Sequence, residues 1–529
     1  MIKNPVLPGF HPDPSICRVG DDFYIANSTF QWWPAVRLHY SRDLVNWKPI
    51  GYAVTRKSQL NLLGNEDNGG VWAPCLSYSD GLFYLIYTDV KTWTGAYKDS
   101  HNYLITAQSI EGPWSEPTYL NSSGFDASLF HDDDGRKWYL NMQWDHRVGN
   151  HPFSGILLQE YLPRENRLGG PITNIFKGTE LGLVEGPHLY KKDGYYYLLT
   201  AEGGTTWYHA STLARSKNID GPYEVMPGKH IVTSKDDATL PLQRAGHGSL
   251  VETQNGMWYL AHLVGRPVMP ERRCTLGRET AIQALEWQSG EWPKLATGGN
   301  TPAAEVPSPG LDEHPFEVDS KSTHCFDDFD STELDTEFNT LREPPDDSWL
   351  SLKERSGFLR LYGRESLYSK PRQSLVARRI KHFETTASTV VDFEPDEGEF
   401  QQAAGLIFYY DTIDYHYLFI SSDEKGKYLD ILTCEAGHAM DYVGTRVPLR
   451  PGPVYLKGEM NYGDLQLYYA VVKDQWKPIG PLLDATVLSD EYKVEVKFTG
   501  AYAGVCVQDI TGRKRHADFD WFSIESEAK

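Results

Sequence analysis

The hydrophobic pattern of the amino-terminal half is one phrase repeated five times. Each copy opens on a lead residue, runs through a few apolar positions to a Gly-containing turn dipeptide, and closes on an aromatic pair ending in Tyr. The five tyrosines, Tyr24, Tyr84, Tyr139, Tyr197 and Tyr259, stand 60, 55, 58 and 62 residues apart, a spacing that predicts an all-β unit repeated radially. Asp80-Gly81, Asp134-Gly135, Asp193-Gly194 and Asn255-Gly256 suit hairpin turns with positive φ, and the first copy carries Gly20-Asp21 instead. No long segment has helical periodicity, so five such units predict a five-bladed β-propeller, closed to remove exposed edges, with the ends of its inner strands forming a funnel.

The lead residues are Asp13, Ala73, Asp126, Glu185 and His247. Equivalent positions of radial repeats lie at equivalent distances from the axis, so three carboxylates and a histidine are expected to converge there. In a ring of five, Asp126 and Glu185 come from neighbouring blades and Asp13 faces them.

The phrase stops between Gly298 and Ser320, where Gly, Pro and acidic residues dominate as in an exposed connector. A second strand-rich region follows. GLIFYYDTIDYHYLFISS and GDLQLYYAVV alternate like strands with one wet face, which predicts a β-sandwich. Acidic-aromatic strings at its two ends, around Phe326 and Phe522, suggest that its first and last strands pair. The expected division is a catalytic propeller over 1–310, a linker over 311–325 and a sandwich over 326–529.

Composition narrows the partners. With 51 basic against 72 acidic residues the formal charge is −21 and no basic run stands out, which argues against nucleic acid and anionic membrane. The opening MIKNPVLPGFHPDP lacks the apolar core of a secretion signal, and no stretch reaches bilayer length, so the expected location is cytoplasmic. Six scattered cysteines form no CxxC pair and read as small buried thiols.

Two neighbouring carboxylates in a partly dry cavity do not both ionise cheaply, so one retains its proton and can act as an acid. An ionised aspartate across a water-sized gap can deprotonate water, and that pairing is the arrangement of an inverting glycoside hydrolase. Glu185, with the longer arm, is the candidate acid, Asp126 its tuning neighbour and Asp13 the base. Each residue also has a plainer use: Asp13, between prolines, can close a turn, Asp126 and Glu185 can be solvated or cap a loop, and His247 can be a hydrogen-bonded structural histidine. Arg278 is either a surface ion-pair partner or the guanidinium that keeps Asp13 anionic. Phe30, Trp32, Trp33, Trp72 and Trp207 flank the repeat starts and can stack on a sugar face or simply pack, with Trp72 favoured because its blade supplies no charge. The chemistry requires no cofactor; His247 is a candidate to help hold a divalent cation such as calcium.

The motifs HPDPSI, NSTFQWWP, GGVWAP, FDASLF, VEGPHLY, GHGSL and LGRET, in this order, resemble glycoside hydrolase family 43 and its two-domain β-xylosidases. The resemblance implies a five-bladed propeller with a jelly-roll, concanavalin-like sandwich, and inversion at the anomeric centre. It also implies Asp13 as general base, Asp126 as the residue that orients and tunes the acid, Glu185 as the acid, and Arg278 as a contact to substrate and base. Family members release xylose from the non-reducing ends of β-1,4-xylo-oligosaccharides, many also cleave α-L-arabinofuranosides, and many form dimers or tetramers. An aromatic of the sandwich closes one side of the pocket in such enzymes, a place that Tyr502 takes here where Phe is usual. Two alternatives accompany this expectation: a chiefly α-L-arabinofuranosidase enzyme, and a propeller that binds carbohydrate without catalysis.

Overall fold

The computed structural model of the chain describes residues 1–317, 321–441, 444–494 and 496–527. Those residues form strands throughout, with one short 3₁₀ turn at Ala485–Val487, and no helix among them is long and apolar enough to cross a membrane. They divide into two compact units. The first comprises Met1–Phe30, Ala35–Arg266 and Arg278–Ser320; the second comprises Gln31–Pro34, Pro267–Gly277 and Lys321–Lys529. The linker expected over 311–325 includes positions 318–320, which lie outside the described residues.

The first unit is the five-bladed propeller. Five four-stranded antiparallel sheets each begin with an inner strand: Ser15–Val19, Gly70–Ser79, Ser128–His131, Glu185–Lys192 and Gln243–Glu252. Each inner strand lies beside the next, and the fifth returns to the first. The repeated tyrosines are buried where neighbouring blades meet. Tyr84 and Tyr139 share a cluster with Cys75 and Leu129, and Tyr259 packs with Ile16, Phe23 and Val251.

The hairpins fall into three kinds, the first being the two-residue turn Gly20-Asp21, in which only Gly20 has positive φ. Asp80-Gly81 and Asp193-Gly194 are two-residue turns with positive φ at both positions, which Asp tolerates better than most residues. The third and fifth hairpins instead use longer loops, spanning 132–136 and 253–257, in which only the Gly is left-handed. The backbone of Asp132 bonds to Arg136 and that of Thr253 to Met257, so these loops are tied across their bases.

Ring closure is a hydrogen-bonded latch. Ile2–Lys3 pairs antiparallel with Glu305–Val306, and the N–H groups of Val6 and His11 donate to the carbonyls of Thr280 and Arg278, both at 2.9 Å. Asn4 reads both groups of Ile282: its Nδ2 donates to the carbonyl at 2.8 Å and its Oδ1 accepts from the N–H at 2.8 Å, while Nδ2 also reaches Ala303 O at 2.9 Å. At the axis, Ser249 Oγ accepts from Ile16 N and donates to Pro14 O, and Ser15 Oγ accepts from Leu76 N, stapling blade five to one and one to two.

The second unit is a concanavalin-like sandwich of two antiparallel sheets around a core that includes Trp349, Leu406, Phe408, Leu456 and Phe519. Its first and last strands pair, with Phe326 opposite Ser523 and Asp327 opposite Phe522. Asp464–Ala470 alternates over most of its length between buried and more exposed positions, as expected. Gln402–Asp411 does not: it is buried along its whole length, because its second face carries Tyr409, which meets Tyr415 and Trp32. Trp32–Trp33 is itself a strand of this unit, paired with Asn339–Leu341. These two tryptophans are therefore fully buried sheet residues, and the expectation that they line a loop for sugar stacking is corrected.

The latch yields a stability prediction. Asn4→Ala removes three hydrogen bonds and leaves Ile282 N without its acceptor, at an expected cost of about 1–3 kcal/mol. Thermal unfolding should show a Tm several degrees lower, and a Tm within one degree of the parent would mean that the latch does not contribute.

Candidate active site

The heads of the inner strands share a strained backbone. Asp13, Ala73, Asp126 and His247 have φ of 51°, 27°, 56° and 47°, a left-handed conformation that side chains adopt at a cost of roughly 1–3 kcal/mol each. In blade four the left-handed residue is Gly186, with φ 57°. Glu185 therefore stands one residue ahead of the repeated lead position, a correction to the register expected from sequence. It sits opposite Ala201, four residues past Tyr197, as Trp72 sits opposite Thr88, four residues past Tyr84. Glycine is needed at 186 because a Cβ there would stand 3.0–3.2 Å from three atoms of the His247 ring.

Asp13 is held from two sides. Arg278 Nη1 donates to its Oδ1 at 2.7 Å, and Ser28 Oγ donates to its Oδ2 at 2.6 Å, all three side chains being buried. The loop that carries it is fixed as well: Asn27 Nδ2 donates to Pro12 O at 2.8 Å and Thr280 Oγ1 to His11 O at 2.6 Å. His247 lies between the first and third blades' aspartates, with Nδ1 at 4.0 Å from Asp13 Oδ1 and 3.9 Å from Asp126 Oδ2. Burial lowers its pKa, the Asp13 charge raises it in part and Arg278 opposes protonation, so the ring is neutral at neutral pH.

Asp126 and Glu185 are neighbours, as their blade order requires. Asp126 Oδ2 accepts from the N–H of Gly186 at 3.1 Å, which ties it to the backbone next to Glu185. Burial, followed by the charges of Glu185 and Asp13, pushes the Asp126 carboxyl well above the usual range. Burial and then the Asp13 charge push Glu185 up to about 8, against the opposing pull of Arg278 and Lys98. Glu185 thus retains its proton at neutral pH.

Lys98 is a site residue that the sequence analysis missed. Its ammonium lies 4.4 Å from the ring centroid of Trp144, 5.5 Å from Trp93 and 5.8 Å from Trp72, and burial lowers its pKa to about 8 while Glu185 and Glu66 raise it. Its only sequence signal was the local density of tryptophans, since the residue itself looks like any loop lysine.

Phe30 and Trp72 do reach the site. Phe30 is 5.9 Å from Trp72, centroid to centroid, with the Arg278 guanidinium 5.2 Å from its ring, and Trp72 meets Phe125 edge-on at 5.2 Å. Trp207 lies in the 203–209 loop of blade four, where the Arg244 guanidinium is 5.9 Å from its ring. Tyr502 belongs to the second unit, buried and stacked on Trp32 at 3.7 Å. Among the described residues, no group of three or more His, Cys, Asp or Glu side chains gathers as metal ligands.

An aspartate locked to arginine, beside two buried carboxyls whose pKa values burial raises, on the axis of a five-bladed propeller, defines a glycoside hydrolase. Residues 2–293 match the family described as Glycosyl hydrolases family 43, and residues 326–525 match the Beta xylosidase C-terminal Concanavalin A-like domain. The chain belongs to glycosyl hydrolase family 43. It is 49% identical to Xylosidase/arabinosidase 43B of Humicola insolens, over 98% of this chain and 97% of that one. It is 48% identical to a Beta-xylosidase of Bacillus subtilis (strain 168), over 98% and 99%. It also superposes on the crystal structure of xylan beta-1,4-xylosidase from Bacillus Halodurans C-125 with a TM-score of 0.96 and 56% identity, covering 99% of this chain and 100% of that one.

The raised carboxyl has a cost that can be measured. Between about 4.5 and 8 the folded chain keeps a proton on Glu185 that the unfolded chain has released, so this group's contribution makes stability fall as pH rises through that window. Glu185→Gln removes the effect. Its Tm advantage over the parent should grow from pH 5 to pH 8, and a pH-independent difference would show that Glu185 does not carry a raised pKa.

Proposed function

We propose that the protein is an exo-acting, inverting β-xylosidase that releases D-xylose from the non-reducing ends of short β-1,4-xylo-oligosaccharides. Asp13 is the general base: its carboxylate, ion-paired with Arg278 at 2.7 Å, takes a proton from a water that attacks the anomeric carbon. Glu185 is the general acid and protonates the departing glycosidic oxygen. Asp126 orients that acid through Gly186 N–H. The rings of Phe30 and Trp72 wall the site of the xylose being released, whose lack of a hydroxymethyl group suits an aromatic-lined pocket. These side chains suffice for the reaction as written.

The observation that carries this proposal is the unequal treatment of the carboxylates, one ion-paired at 2.7 Å and two pushed up by burial. The relatives named as xylosidases support the choice of sugar. A second reading, α-L-arabinofuranosidase activity at the same site, is favoured by the name of the Humicola insolens relative. Hydrolysis of xylotriose followed by proton NMR tests the first: the expected product is α-xylose appearing first, with xylobiose as its partner. β-Xylose as the first anomer, or no hydrolysis beside rapid cleavage of 4-nitrophenyl α-L-arabinofuranoside, would overturn it.

The role of Glu185 has its own signature. Glu185→Gln should slow xylobiose hydrolysis at least about 100-fold more than that of a dinitrophenyl xyloside, whose leaving group needs little protonation; general acid catalysis typically contributes about 10²–10⁴-fold. Equal losses on the two substrates would reject Glu185 as the acid.

A further inference from the structure

We infer that Ser28 is a positioning residue for the general base, fixing the plane of the Asp13 carboxylate so that a free lone pair faces the attacking water. The inference rests on Asp13 being the base. The two oxygens of Asp13 are held by different donors on different strands: Oδ1 by Arg278, which begins the third strand of blade five, and Oδ2 by Ser28, immediately after the second strand of blade one. Arginine alone would hold one oxygen and leave rotation about the Cβ–Cγ bond soft, because that torsion has a broad, two-fold profile. A second donor on the other oxygen removes the freedom. Each oxygen then has one lone pair engaged by the protein and another available to water.

The neighbours of the two donors repeat the arrangement on the backbone. Asn27, beside Ser28, holds Pro12 O, and Thr280, two residues beyond Arg278, holds His11 O. Asn27 Nδ2 also donates to Thr280 Oγ1 at 3.1 Å, joining the two arms. Asp13 thus sits in a cradle whose two arms each grip both its loop and its carboxylate. The Ser28 side of that cradle is buried, with the residue 1% exposed, so water does not compete for the hydroxyl. A hydrogen bond to an ionised acceptor in such surroundings is stronger than a neutral one.

Ser28→Ala tests the inference on the full-length enzyme. The expected result is a kcat about 10- to 100-fold lower, the loss of one charge-assisted hydrogen bond, with KM within about threefold of the parent. The factor should be the same on xylobiose and on 4-nitrophenyl β-D-xylopyranoside, since the base acts on water and not on the leaving group. Ser28→Thr, which keeps the hydroxyl, should recover most of the rate, and Ser28→Cys, similar in shape but a weak donor, should stay slow even if the Thr methyl is not accommodated. An Ala variant with kcat within twofold of the parent, a loss confined to KM, or a larger loss on xylobiose would overturn the inference. Asp13→Ala separates the two levels: full activity there would sink the assignment of the base itself, whereas an inactive Asp13→Ala beside a fully active Ser28→Ala would sink the role of Ser28 alone.

Discussion

The ion pair between Arg278 and Asp13 is the interaction on which the rest depends, because it closes the ring and builds the site at once. Its partners are 265 residues apart in the chain, on the last and first blades, and both are buried. Bringing two charges out of water costs several kcal/mol each, so such a pair is tolerable only when its geometry is good and further hydrogen bonds satisfy it. Ser28 supplies one of these, and the latch residues Asn4, Val6 and His11 hold the two strands in register. A propeller whose first and fifth blades drifted apart would leave a buried aspartate without its counter-charge. Closure of the fold and the pairing of Asp13, the proposed base, with Arg278 are therefore the same structural event.

The left-handed heads of the inner strands come next in importance. Four of five carry side chains in a conformation that glycine would adopt freely, and blade four, the exception, spends its glycine there and moves its acid one residue upstream. That displacement places Glu185 in the same register as Trp72, in a ring of positions adjacent to the aspartates instead of among them. The acid and its neighbour Asp126 thus approach from successive residues of the repeat, which lets Asp126 bond to Gly186 N–H without a clash between the two carboxyls.

Much of this was legible in the chain. The tyrosine interval revealed the blades because each tyrosine fills the same interblade core, and the lead residues pointed to the axis because a radial repeat maps position onto radius. The register of Glu185 was not legible, since E-G-P-H aligns with D-P-S and A-P-C only when the backbone conformation of Gly186 is known. Nor was the placement of Trp32 and Trp33: a two-residue strand that pairs with Asn339–Leu341, more than 300 positions away, leaves no local periodicity. Lys98 was hidden for a different reason. Its environment is made of rings from separate segments of the chain, Trp72, Trp93 and Trp144, and a lysine declares nothing until its surroundings are assembled.

The protonation of the proposed acid is linked to the charge of the proposed base, and the linkage suits an inverting cycle. Asp13 in its ionised form is the second largest reason, after burial, that Glu185 holds a proton up to about pH 8. In the proposed mechanism each turnover takes the proton from Glu185 to the leaving oxygen and brings one from water to Asp13. Once Asp13 is neutral it no longer repels a charge on Glu185, while Arg278 and Lys98 continue to favour that charge. The same field that keeps the acid protonated before bond cleavage therefore relaxes as the proton leaves, and the product state is not penalised for having an anionic Glu185. Arg278 is ion-paired with Asp13, whose charge raises Glu185, and it lowers Glu185 directly. Burial and the Asp13 charge prevail over Arg278 and Lys98, so Glu185 is raised.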